Sequence, residues 1–86
     1  MNFVTTKRAG YALFATTPSG RAAIGLTEDQ KRLHLLARAA EGWETLREWS
    51  VDDVSHTDVL LRLGDVDEPA DPQALLSFLP SPRDLH

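Results

Sequence analysis

The chain has 86 residues, of which 42% are hydrophobic and 26% are charged, and its formal net charge at pH 7 is −4. This length allows one small domain, and this composition excludes a disordered chain or a membrane-embedded one. The absence of cysteine excludes disulfide bonds and thiolate metal sites, and no apolar stretch is long enough for a signal sequence or a membrane span. We therefore expect a cytoplasmic protein with one globular domain over residues 1–80 and a loosely ordered tail over 81–86.

Strand-forming residues are concentrated near the N-terminus. Residues 2–16 contain β-branched and aromatic side chains on either side of the turn-like segment Lys7–Gly10. This pattern predicts a β-hairpin. Because an isolated hairpin is only marginally stable in water, we expect it to pack against helices.

The remainder of the domain is predicted to be helical. Apolar residues recur at helical spacing, and three Ser or Thr residues stand three positions before an acidic residue or a glutamine, as in a capping box. Prolines and glycines mark the helix boundaries. Five segments fit a short helix: residues 17–25, 28–40, 45–50, 55–64 and 73–79. The fourth segment also fits a strand, because Val59, Leu61 and Leu63 occupy alternate positions.

These elements predict an α+β fold, a small helix-dominated domain of three to five short helices with an N-terminal β-hairpin. Residues 45–50, the turn around 51–54 and residues 55–64 have the lengths of a helix-turn-helix. Together with the preceding helix and the hairpin, this arrangement resembles a winged-helix domain. The resemblance is architectural and rests on no specific sequence motif.

The sequence contains no complete catalytic or metal-binding motif. Residues 20–27, GRAAIGLT, are similar to a phosphate-binding loop, but Leu26 occupies the position at which that loop needs lysine. Ser55 and His56 are neighbours, so on a helix their side chains point about 100° apart, which is no arrangement for a nucleophile and its base. The three histidines lack metal-ligand spacing, and the acidic run that begins at Asp65 lacks the glycine and glutamate of a calcium loop. We expect neither enzymatic activity nor a cofactor.

Charge is unevenly distributed along the chain. Residues 1–40 contain six basic and two acidic residues, a net charge of +4, whereas residues 41–71 contain two basic and ten acidic residues, a net charge of −8. This asymmetry predicts a folded molecule with a basic side and an acidic side. Attraction between such a side and an oppositely charged surface speeds association.

We therefore expect a small non-catalytic protein-binding or regulatory module whose acidic face docks on a basic partner surface. Trp43 and Trp49 lie among the acids, and tryptophan is enriched in binding hot spots, although either side chain also fits a core position. A sharper form of this hypothesis has the acidic face imitate phosphates and inhibit a nucleic-acid-binding machine, as phage-encoded anti-CRISPR proteins do. The predicted partner-binding residues are Glu41, Trp43, Glu44, Glu48, Asp52, Asp53, Asp58, Asp65, Asp67 and Glu68.

Two other functions stay open, and neither involves a membrane. A winged-helix-like regulator would bind DNA, but residues 55–64 lie in the acidic segment, where repulsion of phosphates opposes binding. The basic N-terminal half would then have to contact the nucleic acid, through Lys7, Arg8, Arg21, Lys31, Arg32 and Arg38. In the other alternative the basic half of one copy meets the acidic half of another, which gives a self-associating structural protein or a homodimer.

Overall fold

A computed structural model describes residues 1–80, in which five consecutive strands form one antiparallel sheet in the order in which they occur along the chain. The strands are β1 (Val4–Thr6), β2 (Tyr11–Thr16), β3 (Ala22–Thr27), β4 (Arg32–Ala39) and β5 (Gly42–Ser50). One α-helix, α1 (His56–Gly64), and one 3₁₀-helix (Pro72–Phe78) follow the sheet. The predicted tail over residues 81–86 lies outside the described residues.

The predicted helix-dominated α+β fold is wrong, because most of the domain is an antiparallel sheet. The segments predicted as the first three helices form β3, β4 and β5 instead. The last two predicted helices correspond to α1 and the 3₁₀-helix. Since residues 45–50 belong to a strand, the helix-turn-helix is not formed, and the resemblance to a winged-helix domain is wrong as well.

The helical spacing of the leucines in β4 has a different origin. Leu33 and Leu35 face α1, whereas Leu36 faces the other side of the sheet, and all three are buried. Because both faces of this strand are covered, its apolar positions do not simply alternate and are easily taken for a helix. The predicted capping box at Thr27 is a turn, in which Gln30 adopts a left-handed φ of 59° and its amide donates to the Thr27 carbonyl at 2.8 Å.

The predicted N-terminal hairpin is present as β1 and β2. Val4 lies opposite Thr16, and Thr6 lies opposite Phe14. β2 also pairs with β3, so the hairpin is stabilised as the edge of a larger sheet rather than by packing on helices alone.

One face of the sheet is covered by α1 and the 3₁₀-helix. Ile24 and Leu35 on this face are fully buried, together with Val59 and Leu63 from α1 and Leu75 from the 3₁₀-helix. Burial of each such side chain stabilises the fold by about 1.5–3 kcal/mol. This layer is therefore the main core of the domain.

Hydrogen bonds at both ends fix the position of α1. The Ser55 hydroxyl accepts from the amide of Asp58 at 3.1 Å, which confirms the predicted cap. At the other end, the N-terminal ammonium of Met1 donates to the carbonyls of Gly64 at 2.5 Å and Val66 at 2.9 Å. Within residues 1–80, no helix is both long and apolar enough to cross a membrane.

The opposite face of the sheet is covered by no helix in the described part of the chain. Phe14, Ala23 and Leu36 are buried on this face, and Tyr11 and Trp43 pack against them. We call the surface formed by these five residues and the side chains around them the open face. Within residues 1–80, only side chains of the sheet and its loops cover it.

The two ends of the sheet are named here by their loops. Antiparallel pairing puts loops 7–10, 28–31 and 51–54 together at one end, which we call the 28–31 end. Loops 17–21 and 40–41 lie at the opposite end, which we call the 17–21 end.

Candidate binding face of the sheet

The carboxylates of the predicted acidic face are divided between the two ends of the sheet. Asp52 and Asp53 follow β5, and Asp58 lies in the first turn of α1, so all three are at the 28–31 end. Glu68 lies at the 17–21 end, where its carboxylate accepts from the hydroxyl and the amide of Ser19. The other predicted acids are exposed, on the turn before β5, on β5 itself and after α1: Glu41, Glu44, Glu48, Asp65 and Asp67.

These carboxylates are accessible, but they do not form one continuous surface. Within residues 1–80, the one contact shorter than 4.0 Å between a carboxylate and a basic side chain joins Glu48 to His34. Glu44 and Glu48 lie on opposite faces of β5, because a bulge between them shifts the alternation of the strand. The carboxylates of the acidic segment are therefore distributed over both ends of the sheet, and docking on a basic partner stays a prediction.

The two tryptophans occupy different environments. Trp49 is 2% exposed in the main core, where its Nε1 donates to the carbonyl of Pro80 at 2.9 Å. Trp43 is half-buried on the open face, where its ring meets that of Phe14 nearly perpendicularly at a centroid distance of 5.3 Å. Of the two, Trp43 is the one that a partner can contact.

Four rings form a continuous row across the open face. The ring of Tyr11 lies between those of His34 and Phe14, at centroid distances of 5.7 and 5.2 Å, and Trp43 continues the row beyond Phe14. Tilted and edge-to-face contacts of this kind are favourable for aromatic pairs. Tyr11 lies low on the sheet because Gly25 beneath it has no side chain, and a Cβ atom there would be 2.5 Å from Cε1 of the tyrosine.

A hydrogen-bond chain holds one end of this row. Nε2 of His34 lies 2.7 Å from Oε2 of Glu48, and Nδ1 lies 2.8 Å from the hydroxyl of Tyr11. Because an ionised carboxylate only accepts, Nε2 donates to Glu48, and in the neutral imidazole Nδ1 then accepts from Tyr11. Burial raises the pKa of the Tyr11 hydroxyl, which keeps it a donor rather than a phenolate nucleophile. This series of hydrogen bonds is therefore better suited to positioning the rings of Tyr11 and His34 than to catalysis.

Cationic side chains cover the other end of the row. Cζ of Arg8 lies 5.8 Å from the ring centroid of Phe14, and Cζ of Arg38 lies 5.5 Å from that of Trp43, within the range of cation–π attraction. Together with Lys7, these side chains line an open recess of about 300 Å³. No carboxylate of residues 1–80 lines it. The recess is therefore positive on a protein whose net charge is −4.

The other three predicted nucleic-acid contacts do not reach this recess. Arg21 lies at the 17–21 end and donates to a backbone carbonyl at 3.0 Å. Lys31 and Arg32 line a different recess at the 28–31 end, together with Asp29 and Asp52. Carboxylates offset their charge there, so the six predicted cations do not act as one surface.

No protein-family model, curated protein or solved structure matches this chain. Within the part of the chain that the structure describes, no three His, Asp or Glu side chains lie close enough together to hold a metal ion. The candidate site therefore rests on the arrangement of this chain's own residues. It consists of Lys7, Arg8 and Arg38 around the ring of Trp43.

The aromatic row was not predictable from the spacing of its members. Tyr11 and Phe14 are three residues apart, which would place them on opposite faces of a regular strand. A bulge between Tyr11 and Leu13 brings them to the same face. No sequence pattern indicated that His34 belongs to this row, because its partners Tyr11 and Glu48 lie on two other strands.

Proposed function

We propose that the protein is a small non-catalytic binding module that recognises a polyanion, in particular a nucleic acid, through the open face of its sheet. The observation that carries this proposal is the convergence of Lys7, Arg8 and Arg38 on one recess. An arginine beside an aromatic ring is held in orientation while its N–H groups stay available to phosphate oxygens. The winged-helix arrangement is not part of this proposal, which keeps only the basic contacts.

The placement of charge supports a local attraction that overcomes the net charge. A polyanion would be repelled by the protein as a whole, since its formal net charge is −4. Three cations in a recess without carboxylates create a local positive potential that orients the approach. We place this interaction in the cytoplasm.

Fluorescence anisotropy with a labelled DNA strand of about 16 nucleotides tests the proposal. The affinity should fall as salt rises from about 50 to 200 mM, because contacts to phosphates release counterions. Arg38→Glu should weaken binding about tenfold. Arg62→Glu is the matched control, since it makes the same charge change at an exposed position of α1, behind the sheet, and should have a much smaller effect.

Two results would contradict the proposal. One is the absence of binding at low salt. The other is an equal loss for Arg38→Glu and Arg62→Glu, which would show that only the net charge of the protein matters.

A second candidate function is the predicted docking of an acidic surface on a basic protein. Asp52, Asp53 and Asp58 are exposed at the 28–31 end, and none of them forms an ion pair within residues 1–80. Complementary charge on a partner would speed association with this end. Inhibition of a nucleic-acid-binding machine is a sharper form of this hypothesis. Self-association, in which this end meets the basic recess of a second copy, is a separate alternative.

Charge reversal at the 28–31 end tests this second candidate. The triple variant Asp52→Lys, Asp53→Lys and Asp58→Lys should lose a protein that the wild type captures from its host. A triple variant with lysine at Glu44, Asp65 and Asp67 should keep it. Capture of the same proteins by both variants would contradict the hypothesis. Self-association is excluded if light scattering gives a monomeric mass at both low and high salt.

A further inference from the structure

We propose that the nucleic acid bound by the open face is single-stranded and that one of its bases stacks on the ring of Trp43. This inference rests on the proposed function. It specifies that the nucleic acid is single-stranded and names the side chain that contacts a base.

The width of the sheet favours an unpaired strand. Five strands spaced by about 4.8 Å make a face about 20 Å across, whereas the major groove of B-DNA is about 12 Å wide. The aromatic row therefore cannot enter the groove of a duplex. Bases in a duplex are stacked on one another, but an unpaired strand can turn a base onto a protein ring. Contact with these rings thus requires an unpaired base.

Trp43 is the ring of the row that is best placed to receive this base. Phe14 is 2% exposed and lies beneath Arg8. Tyr11 is held at its hydroxyl by His34. Trp43 is half-buried on the edge strand β5, and Phe14 meets it at an interplanar angle of 76°, so this neighbour does not stack on either face of the indole.

The cations around Trp43 are placed to hold the phosphates on either side of the base. Arg38 is exposed and lies over the indole at 5.5 Å, from where its side chain can turn towards a phosphate as a base takes its place. Arg8 and Lys7 lie across the recess, on the loop before β2. A recess of about 300 Å³ is at the lower limit of ligand pockets, which suits one base rather than several.

Tryptophan fluorescence tests the inference directly, because the chain has one half-buried and one buried tryptophan. Trp49→Phe leaves Trp43 as the single reporter. Addition of an unlabelled DNA strand of about 16 nucleotides should quench its emission, and the duplex of the same sequence should quench it much less. If Trp49→Phe does not fold, the difference between wild type and Trp43→Phe gives the Trp43 signal instead.

Affinities of variants at Trp43 supply a second readout. Trp43→Leu should bind the single strand about tenfold more weakly, and Trp43→Phe should recover part of the loss because it keeps a ring. The salt dependence of Trp43→Leu should match the wild type, since the indole contacts no phosphate. If Trp43 only stabilised the fold, the affinities of Trp43→Leu and Trp43→Phe would not differ while the salt dependence of binding stayed unchanged.

The outcomes distinguish this inference from the function on which it rests. Equal affinity for strand and duplex with unchanged Trp43 emission would overturn the stacking inference and leave polyanion binding in place. Tight binding of poly-glutamate, unaffected by Trp43→Leu, would overturn it in favour of an acidic protein partner. Absence of binding to every polyanion would overturn both.

Discussion

The ring of Tyr11 lies across Gly25 of the neighbouring strand, so close that a Cβ atom on this glycine would be 2.5 Å from Cε1 of the tyrosine. A glycine is therefore needed at position 25, because a larger side chain would occupy the space of the Tyr11 ring. The Tyr11 hydroxyl is bonded to Nδ1 of His34 at 2.8 Å, so the tyrosine is held both at its face and at its tip. The position of Tyr11, which lies between His34 and Phe14 in the row, depends on this contact.

Gly25→Ala should displace the Tyr11 ring and lower the free energy of unfolding by about 1–3 kcal/mol, because overpacking a buried site forces its neighbours to move. Urea unfolding followed by circular dichroism measures the loss. Gly64→Ala is the matched control, since nothing lies within 4 Å of a Cβ atom there. Its effect should be about 0.5 kcal/mol or less. Equal effects at the two glycines would contradict the contact.

Tyr11→Phe keeps the ring and removes only its hydroxyl. The variant should lose about 0.5–1.5 kcal/mol of stability, because Nδ1 of His34 is left without its donor. Because Glu48 still accepts from Nε2, His34 should keep its tautomer, and the ¹⁵N chemical shift of Nδ1 should change as this nitrogen loses its hydrogen bond. A variant with wild-type stability and unchanged shifts would show that the hydrogen bond does not form in solution.

Trp49→Phe should destabilise the protein more than Trp43→Phe. Trp49 is 2% exposed and donates to the carbonyl of Pro80, so its replacement leaves a cavity and removes one of the two donors to that carbonyl, the other being Arg47. We expect a loss of about 1–3 kcal/mol at Trp49 and about 1 kcal/mol or less at Trp43 in urea unfolding. A similar loss at both positions would make Trp43 a core residue and would count against its availability to a ligand.

His56 should make the protein less stable in mild acid. Burial lowers the pKa of His56 below its usual 6.5, and its Nε2 has no hydrogen-bond partner within residues 1–80. Because the unfolded chain binds the proton more readily, stability is greatest above pH 6.5 and falls as the pH drops from there towards the lowered pKa of the folded state. Unfolding free energies between about pH 5 and 8 should vary less with pH in His56→Gln. The same profile in both proteins would assign the pH dependence to another group.

Elements stabilised by neighbouring residues could be predicted from the sequence. The cap of α1 joins Ser55 to an amide only three residues away, and β1 is joined to β2 by a short turn, so local patterns located both. The same patterns failed for β4. Leu33 is buried under α1, and Leu36 is buried on the opposite face by side chains of the other strands, so none of the contacts that bury them is local.

The sequence by itself determined the number and sign of the charges, the absence of cysteine, the N-terminal hairpin and the helix cap at Ser55. Only the tertiary structure decided which charges meet. Arg38 joins Lys7 and Arg8 at one recess because the loop before β2 and the distant strand β4 are parts of one sheet face. The acids after residue 40 are adjacent in the sequence but separated in space, because β5 and α1 each carry the chain from one end of the sheet to the other. A run of like charge forms one surface only where the chain between those charges does not cross the domain.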